Sequence, residues 1–373
     1  MHVALSLLTL FPGRSGGTET YARALVREFA REGAHAPVSL LVSERVADAL
    51  GRTGLPTHVV QSYRPGDRAP SRLAAMTYAA LAPRRVARDV PSGFDVVHYP
   101  VTVPIPRAEG AASVVSLNDL QHHELPHFFS RAERHFRAAA YDRAARRADH
   151  VLTLSEHARE QIVDRLGIAP ERVTAIPCAV DHDRFRPEPD EVDTALDVPE
   201  RFLLYPANLW PHKNHARLIR AFRAANVADL HLVITGQTYG RPLPGPPDPR
   251  IHHLGHVPFA HLPALYRAAT ALVFPSLFEG FGMPILEAMA SGCPVTASGR
   301  TAIAEVCGGA ALPFDPSDED GMADAIRRIA DDEALRARLR TAGLARAAEF
   351  RWADVAARHV AVYRRARTAR IAR

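Results

Sequence analysis

The chain has 373 residues and a formal net charge of +5, and 47% of its residues are hydrophobic and 23% charged. This composition is typical of a globular protein and excludes fibrous and intrinsically disordered classes, while the length predicts two domains. The positive charge favours anionic neighbours such as lipid surfaces, nucleotides or nucleic acid without choosing among them.

Few features of the sequence indicate the cellular compartment of the protein. The three cysteines are widely spaced and form no C-x-x-C pair, so a reducing cytoplasm fits better than a disulfide framework or a zinc knuckle. The apolar run 3–11 lacks the basic leader and cleavage site of a signal peptide and favours a first buried strand. No apolar run reaches the ~18 residues needed to span a bilayer. We expect a cytoplasmic protein, with peripheral contact at the anionic inner face of the plasma membrane left open.

Short apolar runs alternate with longer helical patterns through the first half of the chain. Strands are predicted at 3–10, 39–42, 95–98, 113–117, 151–154 and 172–176, and helices at 21–32, 131–148 and 156–166. This alternation predicts βαβ units on a parallel sheet. The acidic, proline-bearing stretch 187–200 is the predicted interdomain linker.

The same alternation restarts beyond the linker. Strands are predicted at 202–205, 230–235, 271–274 and 294–297, helices at 216–225, 262–268 and 284–291, and a helical tail from 320. We therefore expect an α/β protein with two Rossmann-like domains, at 1–186 and 201–355, whose parallel sheets face each other across a cleft. The last helix, at about 356–373, is predicted to pack back on the first domain.

The segment 275–292 carries the strongest functional signal. A predicted strand leads into a turn with Gly280 and Gly282, a helix opens near Pro284, and Gly292 closes that helix. Glycines leave room for an anion, and the free N–H groups at a helix start bind phosphate oxygens. Because a G-x-G before a helix is common, this turn alone is weak evidence for a phosphate site.

Two glutamates strengthen that interpretation. Glu287 lies in the middle of an otherwise apolar helix, so we expect it to be buried, and a buried carboxylate needs hydrogen-bond donors. The hydroxyls of a ribose are suitable donors, and a salt bridge to an arginine is the structural alternative. Glu279, on the turn, is predicted to bind sugar hydroxyls or else to be a solvated loop charge.

Lys213 is the only lysine of a chain rich in arginine. A compact ammonium and a planar guanidinium are not interchangeable at every site. The retention of one lysine therefore favours a specific role, with chance survival as the alternative.

The segment 279–295, E-G-F-G-x-P-x-x-E-A-M-A-x-G-x-P-V, resembles the signature of the retaining glycosyltransferases of family 4, which have the GT-B fold. The resemblance implies that Glu279 faces the donor sugar, that Glu287 holds the ribose, and that the intervening backbone meets the diphosphate. The implied donor contacts in this segment are Glu279, Gly280, Phe281, Gly282, Met283 and Glu287.

The likeness extends over nearly the whole chain. Gly16 and Gly17 match a double glycine that is implied to approach the donor phosphate from the opposite side of the cleft. Lys213 matches the second member of a basic pair at the diphosphate, and Asn208 stands where the family has the arginine of that pair. Val257 ends an L-G-x-V segment that is implied to lie near the base.

Asn118 and Asp119 lie in S-L-N-D-L, where many relatives read T-x-H-D-L. The family's histidine near the reacting sugar is Asn118 here, and an amide cannot transfer protons as an imidazole does. Asn118 is predicted to hydrogen-bond a sugar hydroxyl, and Asp119 to orient the acceptor or the loop, with helix capping as the alternative. The predicted catalytic set is Lys213, Glu279, Asn118 and Asp119.

Other signals have stronger structural alternatives. The D-x-D segment 181–183 has the form that binds a metal under a diphosphate, but it enters the linker, so we expect no metal there. His212 and His215 have the i, i+3 spacing of zinc ligands without a third ligand nearby. His98 could touch substrate or be buried, and the arginine-rich helix at 131–148 could lie on an anionic membrane or face solvent. No aromatic and basic platform supports nucleic-acid binding.

The resemblance implies a retaining hexosyltransferase, and together with the residues above it leads us to expect a metal-independent enzyme without a cofactor. It would move a sugar, with mannose favoured, from GDP-mannose or a UDP-sugar to a hydroxyl of a glycan, lipid-linked glycan or small-molecule acceptor, in the synthesis of cell-surface polysaccharide. A GT-B-fold epimerase or phosphorylase and a non-catalytic nucleotide-sugar-binding protein are the alternatives. The base, the sugar, the acceptor, the linkage and the oligomeric state stay open.

Overall fold

The computed structural model describes residues 1–13, 16–31, 36–66, 68–107, 110–188 and 197–372. The chain divides into unit 1, Met1–Cys178 with Trp352–Arg373, and unit 2, Ala179–Arg351. The division falls before the predicted domain end at 186, and the predicted linker 187–200 belongs to unit 2. Residues 189–196 of that linker lie outside the described residues.

Unit 1 is built on a seven-stranded parallel sheet in the order β3-β2-β1-β4-β5-β6-β7. Its strands are β1 (Val3–Ser6), β2 (Val38–Val42), β3 (Thr57–Val59), β4 (Val96–Tyr99), β5 (Ala112–Ser116), β6 (His150–Thr153) and β7 (Val173–Ala175). Its helices, as far as Cys178, are α1 (Gly16–Phe29), α2 (Glu44–Leu50), α3 (Ala69–Leu81), α4 (Pro83–Ala87), α5 (Gln121–Glu124), α6 (Arg131–Arg137), α7 (Arg143–Arg147) and α8 (Glu156–Leu166).

Unit 2 is built on a six-stranded parallel sheet in the order β10-β9-β8-β11-β12-β13. Its strands are β8 (Phe202–Pro206), β9 (His231–Thr235), β10 (Ile251–His253), β11 (Ala271–Phe274), β12 (Val295–Ser298) and β13 (Leu312–Phe314). Its helices are α9 (His215–Ala225), α10 (Leu262–Ala268), α11 (Met283–Ala290), α12 (Thr301–Cys307), α13 (Glu319–Asp331) and α14 (Glu333–Ala347), and the final helix α15 (Trp352–Ile371) returns to unit 1.

The predicted α/β architecture with two parallel sheets is confirmed. The inner strands are nearly continuous apolar runs, such as A-L-V-F in β11, and every residue of that strand is buried. Such runs are typical of parallel strands that are covered by helices on both faces. The short strands β3, β10 and β13 were not predicted, because three residues are too few to show a period. Within the described residues, no helix is long and apolar enough to cross a bilayer.

A buried polar network holds α15 on the sheet of unit 1. His98 on β4 is hydrogen-bonded to the Tyr363 hydroxyl and to Ser116 Oγ, both at 2.8 Å. His359 Nε2 lies 2.8 Å from the Tyr21 hydroxyl. Burial lowers the pKa of His98 well below 6.5 and that of His359 to about 4, so both are neutral. Both ring nitrogens of His98 are occupied inside unit 1, which supports its structural interpretation.

Two predicted helices differ from the observed ones. Helix α1 begins at Gly16, earlier than the predicted start at 21, and the predicted end at 32 lies outside the described residues. The predicted helix 131–148 contains a π-helical turn, Ala138–Asp142, between α6 and α7. An extra residue per turn changes the face on which the following side chains lie. The Asp142 side chain is buried, only 2% of the residue being exposed.

Candidate functional site

The strand order of unit 2 reverses between β8 and β11, which lie side by side with β9 beyond one and β12 beyond the other. In open α/β sheets, ligands bind at the carboxyl ends of the strands at such a reversal. The loops that follow β8 and β11 are joined there by a hydrogen bond from Leu277 N to His212 O of 2.8 Å. The segments around Lys213 and Glu279, which lie far apart in sequence, therefore meet at this point.

The backbone around Lys213 is held from several directions. The Tyr205 hydroxyl on β8 donates to Lys213 O at 2.6 Å. Asn214, with a left-handed φ of 62°, donates its side-chain amide to Pro275 O at 3.1 Å and Pro316 O at 2.8 Å. An asparagine tolerates this backbone conformation better than most residues, and these bonds fix the direction in which the lysine leaves the turn.

Lys213 and Glu279 form an ion pair. The distance from Lys213 Nζ to Glu279 Oε1 is 2.5 Å, and the side chains are 18% and 14% exposed. The ammonium also lies 5.7 Å from the centre of the Phe274 ring. Glu279 is thus a paired, mostly buried carboxylate in this state, rather than a solvated loop charge. The pair keeps a cation ready at the site, because an anion that approaches Lys213 can share or replace its carboxylate partner.

Glu287 on α11 is 5% exposed, as the apolar pattern of its helix predicted. Its Oε2 accepts a hydrogen bond from the Tyr266 hydroxyl at 2.9 Å. Burial raises the pKa of Glu287 to about 7, while the bond from Tyr266 acts in the opposite direction. The partner is a hydroxyl, and the described part of the chain contains no salt bridge between Glu287 and an arginine. The carboxylate consequently keeps hydrogen-bond capacity beyond what Tyr266 uses.

The turn between the two glutamates exposes backbone. Gly282, at the cap position of α11, has a φ of 120°, where a side chain would be strained and would meet Ile285 Cδ1 at 3.2 Å. The ring of Phe281 lies 6.1 Å from that of Phe350, edge to face, and the residue is 5% exposed. Phe281 can therefore offer a ligand little more than its backbone. Gly280 and Met283 are half-buried.

The loop after β9 is tied to the loop after β8. Asn208 Oδ1 accepts from Gln237 N at 2.8 Å, and Leu209 N donates to Gln237 O at 2.9 Å. The Arg241 guanidinium donates to Leu209 O, next to Asn208. The rings of Trp210 and Tyr239 lie 5.1 Å apart between the same loops. These contacts place a second cation, Arg241, beside Asn208, the residue predicted to stand where the family has an arginine.

The sequence analysis did not identify Arg241, which lies in the irregular, proline-rich loop 240–249. The signal that could have found it is positional. This loop follows β9, and β9 neighbours β8 in the predicted kind of sheet, so its residues come close to Asn208. Val257, in the segment after β10, is half-buried at the same edge, where Leu254 N donates to Ile234 O at 3.0 Å and Gly236 N to Gly255 O at 2.6 Å.

Four predicted site residues belong to unit 1. Gly16 and Gly17 open α1 after β1, Gly16 has a φ of 51°, and a Cβ on either would meet no atom within 4 Å. Asp119 Oδ1 accepts from Gln121 N at 3.0 Å at the start of α5, which supports the capping alternative. Asn118 Oδ1 is buried and has no hydrogen-bond partner in the described ranges. The structure thus leaves an acceptor on Asn118 that a sugar hydroxyl could satisfy.

The metal-ligand candidates of the sequence make contacts within the protein. In the D-x-D segment, Asp181 O accepts from Arg184 N at 3.1 Å and from Phe185 N at 2.8 Å, which makes a backbone turn. His215 Nε2 donates to Ala207 O at 3.2 Å, and burial lowers the pKa of His215 to about 4. The expectation of a metal-free diphosphate site stays a prediction.

A separate cluster in unit 1 has the composition of a metal site. Ligand atoms of His122, His123 and Asp142 lie within 4.8 Å of one another. The two carboxylate oxygens of Asp142 accept from His122 Nε2 at 3.1 Å and from His123 Nε2 at 2.8 Å. Hydrogen bonds therefore account for the cluster as it stands.

Solved structures share the fold along the chain. That of sucrose-phosphate synthase from Thermosynechococcus elongatus covers 98% of this chain and 98% of its own chain, with a TM-score of 0.72 and 20% identity. Together with the two parallel sheets, this likeness defines a protein of the GT-B fold.

Two family models match consecutive parts of the sequence. The model described as Glycosyltransferase Family 4 matches residues 15–184, and the model described as Glycosyl transferases group 1 matches residues 200–332. O-antigen chain mannosyltransferase B of Escherichia coli is 28% identical over 77% of this chain and 79% of its own length. The MMP alpha-(1->4)-mannosyltransferase of Mycolicibacterium hassiacum is 32% identical over 60% of this chain and 56% of its own length. The chain belongs to glycosyltransferase family 4 and is a glycosyltransferase.

Proposed function

We propose that the protein is a retaining mannosyltransferase that binds a nucleotide diphosphate sugar at the β8–β11 reversal of unit 2. The observation that carries the proposal is Glu287, a buried carboxylate with one hydroxyl partner and hydrogen-bond capacity to spare. The cis hydroxyls of a ribose can donate to such a carboxylate, and the diphosphate then extends toward the glycine turn at the start of α11.

Lys213 and Arg241 supply the positive charge of the proposed diphosphate site. Lys213 shares its charge between Glu279 and the phosphate oxygens, while Glu279 gains freedom to hydrogen-bond the donor sugar. Arg241 provides the second cation in place of the arginine that Asn208 replaces. Gly16 and Gly17 stay predicted contacts of the donor phosphate, and Asn118 a predicted contact of a sugar hydroxyl.

In the proposed reaction, the bond between the anomeric carbon and the diphosphate oxygen breaks, and the acceptor oxygen bonds to the same face of that carbon. The acceptor proton passes to the departing diphosphate, so that no protein nucleophile is needed. Lys213 stabilises the negative charge that develops on the leaving group, which is the main catalytic contribution expected of this chain. The site uses no metal, since two cations and a helix start supply the positive charge.

GDP-mannose is the donor that we favour. Both curated relatives described above are mannosyltransferases by name. The acceptor is a hydroxyl of a growing glycan, free or lipid-linked, because the E. coli relative is named for an O-antigen chain. A UDP-sugar is the competing donor.

Calorimetric titration with GDP, GDP-mannose, UDP and UDP-glucose tests the site. We expect GDP-mannose to bind, Glu287→Ala to weaken nucleotide binding at least about tenfold, and Lys213→Ala to lower kcat by roughly 10²-fold. Glu333→Gln, on the exposed start of α14, is the control. Near-normal nucleotide affinity in Glu287→Ala and near-normal kcat in Lys213→Ala would contradict the assignment of the donor site. Release of a free sugar phosphate, or of an epimerised nucleotide sugar, in the absence of an acceptor would favour the alternative enzyme classes.

The role of Arg241 in donor binding is tested by moving its positive charge to position 208. Arg241→Ala should weaken donor binding by roughly fivefold, the size of one partly screened charge contact. In the double variant Asn208→Arg/Arg241→Ala, the arginine at 208 should restore much of that affinity. If Arg241→Ala binds the donor as tightly as the wild type does, the guanidinium does not serve the diphosphate.

A further inference from the structure

Unit 1 contains an open groove of about 480 Å³ that the proposed reaction does not use. One wall is α3, and the other is the π-helical turn with α7. Tyr99, Ile105 and Val115 form its apolar floor. This volume falls in the range of small-molecule sites, which are mostly apolar with a few charged groups.

Small side chains on the facing walls explain the groove. Ala79 and Ala80 line it on α3, and Ala139, Ala140 and Ala144 line it on the opposite wall. A methyl group cannot fill the gap between two helices, so a channel remains above the apolar residues of the sheet. An open and mostly apolar groove of this kind suits a hydrocarbon chain.

Arginines surround the groove. Arg107, Arg143 and Arg147 line it and are exposed, and no ion pair involves them within the ranges that the structure covers. Arg370 also lines the groove, and its guanidinium lies 3.9 Å from Asp149. An apolar channel with unpaired cations at its margin is complementary to a molecule with a hydrocarbon chain and a phosphate.

The outer surface of α3 is unusually apolar. Leu73, Tyr78 and Leu81 are 51%, 39% and 81% exposed, although large hydrophobic side chains are rarely exposed together on one short helix. Arg72 is the only charged residue of α3. Interfacial membrane helices combine such an apolar surface with neighbouring basic residues.

We propose that this groove binds one hydrocarbon chain of a phosphate-bearing lipid while unit 1 lies on an anionic bilayer. The exposed side chains of α3 enter the interface, and the three free arginines contact lipid phosphates. The groove is distinct from the predicted acceptor position. Asp149 and Ala111 line it at the amino ends of β6 and β5, whereas Asn118 and Asp119 follow the carboxyl end of β5.

Two alanines on α3 provide a matched test. Ala80 lines the groove and Ala74 does not, and both are exposed. Phenylalanine at either position adds the same apolar surface, but only Ala80→Phe fills the channel. With mixed phosphatidylcholine–phosphatidylglycerol vesicles, cosedimentation should show about fivefold weaker binding for Ala80→Phe, and wild-type or tighter binding for Ala74→Phe. Ala140→Phe fills the channel from the other wall and should behave like Ala80→Phe.

The contribution of the arginines and the position of the bound hydrocarbon chain are tested separately. Arg143→Ala/Arg147→Ala should lower vesicle affinity about tenfold or more, and Arg338→Ala on α14 should not. A phosphatidylglycerol with a photoreactive group in its acyl chain should label 73–80 and 139–148. Thermal unfolding checks that each variant is folded, and because it does not use a nucleotide, the test is independent of the donor assignment. Failure to bind the mixed vesicles, equal binding to pure phosphatidylcholine, unchanged binding by both groove-filling variants, or labelling confined to other segments would overturn the proposal.

Discussion

Two buried carboxylates, Glu287 in unit 2 and Asp142 in unit 1, have opposite electrostatic environments. Both have little exposed surface, 5% for Glu287 and 2% for Asp142, although Glu287 lies deeper in the protein. Burial raises the pKa of Asp142, but hydrogen bonds from His122 and His123 outweigh it and the pKa is lowered. For Glu287, the hydrogen bond from Tyr266 does not outweigh the effect of burial, and the pKa rises to about 7.

The two carboxylates also differ in the number of hydrogen-bond donors that the fold supplies to each. Asp142 has one imidazole on each oxygen, which satisfies a carboxylate inside the protein. Glu287 has a single hydroxyl and stays poorly stabilised as an anion. A buried acid with a full set of partners is thus explained by structure, whereas one with too few partners is the better indication of a ligand site.

Removal of the well-partnered carboxylate should have the largest effect on stability. Asp142→Ala leaves His122 Nε2 without a buried acceptor, and we expect the free energy of unfolding to fall by about 3–5 kcal/mol while nucleotide affinity stays unchanged. Because its pKa is lowered, the contribution of Asp142 is present above the usual value of 3.8 and is lost as the pH falls through the lowered value.

Urea unfolding of Asp142→Ala, with the exposed Asp164→Ala on α8 as the control, measures this effect. A loss of donor binding in Asp142→Ala at temperatures where it is folded would break the distinction between the two carboxylates.

Glu287→Gln should have the opposite effect on stability. Since the folded-state pKa is raised from 4.5 to about 7, the stabilisation by the bound proton is present below 4.5 and is lost as the pH rises through 7. At about pH 8 the ionised carboxylate therefore lowers the free energy of unfolding by roughly 3 kcal/mol, and the amide of Glu287→Gln does not. The variant should be more stable than the wild type by an amount that grows from about pH 5 to about pH 8, and it should bind nucleotide more weakly.

Unfolding across this pH range, beside the exposed Glu333→Gln, tests the prediction for Glu287. A constant difference between Glu287→Gln and wild type would show that Glu287 does not titrate there. Gains in stability at the expense of ligand binding are common at functional sites.

Tyr266→Phe should give the smallest change and sharpen the comparison further. The loss of the single hydrogen bond from Tyr266 to Glu287 should lower the free energy of unfolding by about 1 kcal/mol and raise the pKa of Glu287 above 7. Because binding of the nucleotide sugar needs a carboxylate that is ionised, the affinity of the variant should then be weakened up to a higher pH than that of the wild type. Calorimetric titrations at several pH values measure the shift, and Tyr78→Phe on α3 of unit 1 is the control. An unmoved pH profile would mean that another group limits donor binding.

The sequence was most informative where a long regular pattern surrounds the chemistry. The strand at 271–274 and the burial of Glu287 follow from apolar runs, and the structure reproduces both. The ion pair of Lys213 with Glu279 could not be read in the same way, because it depends on β8 and β11 being neighbours.

The partners of Asp142 were hidden for another reason. A regular helix was predicted at 131–148, and only the π-helical turn directs this side chain inward to the histidines of α5. A single extra residue in a turn leaves no signature in the apolar pattern. Arg241 was missed for a related reason, since an arginine in an irregular loop has no periodicity to interpret.

The presence of one lysine also makes the proposed donor site chemically addressable. Lys213 carries the only side-chain primary amine of this sequence, and that amine is mostly buried against Glu279. An amine-selective reagent therefore has one side-chain target, so the rate at which it modifies Lys213 reports occupancy of the site directly. The chain thus contains a built-in chemical probe that needs no engineered label.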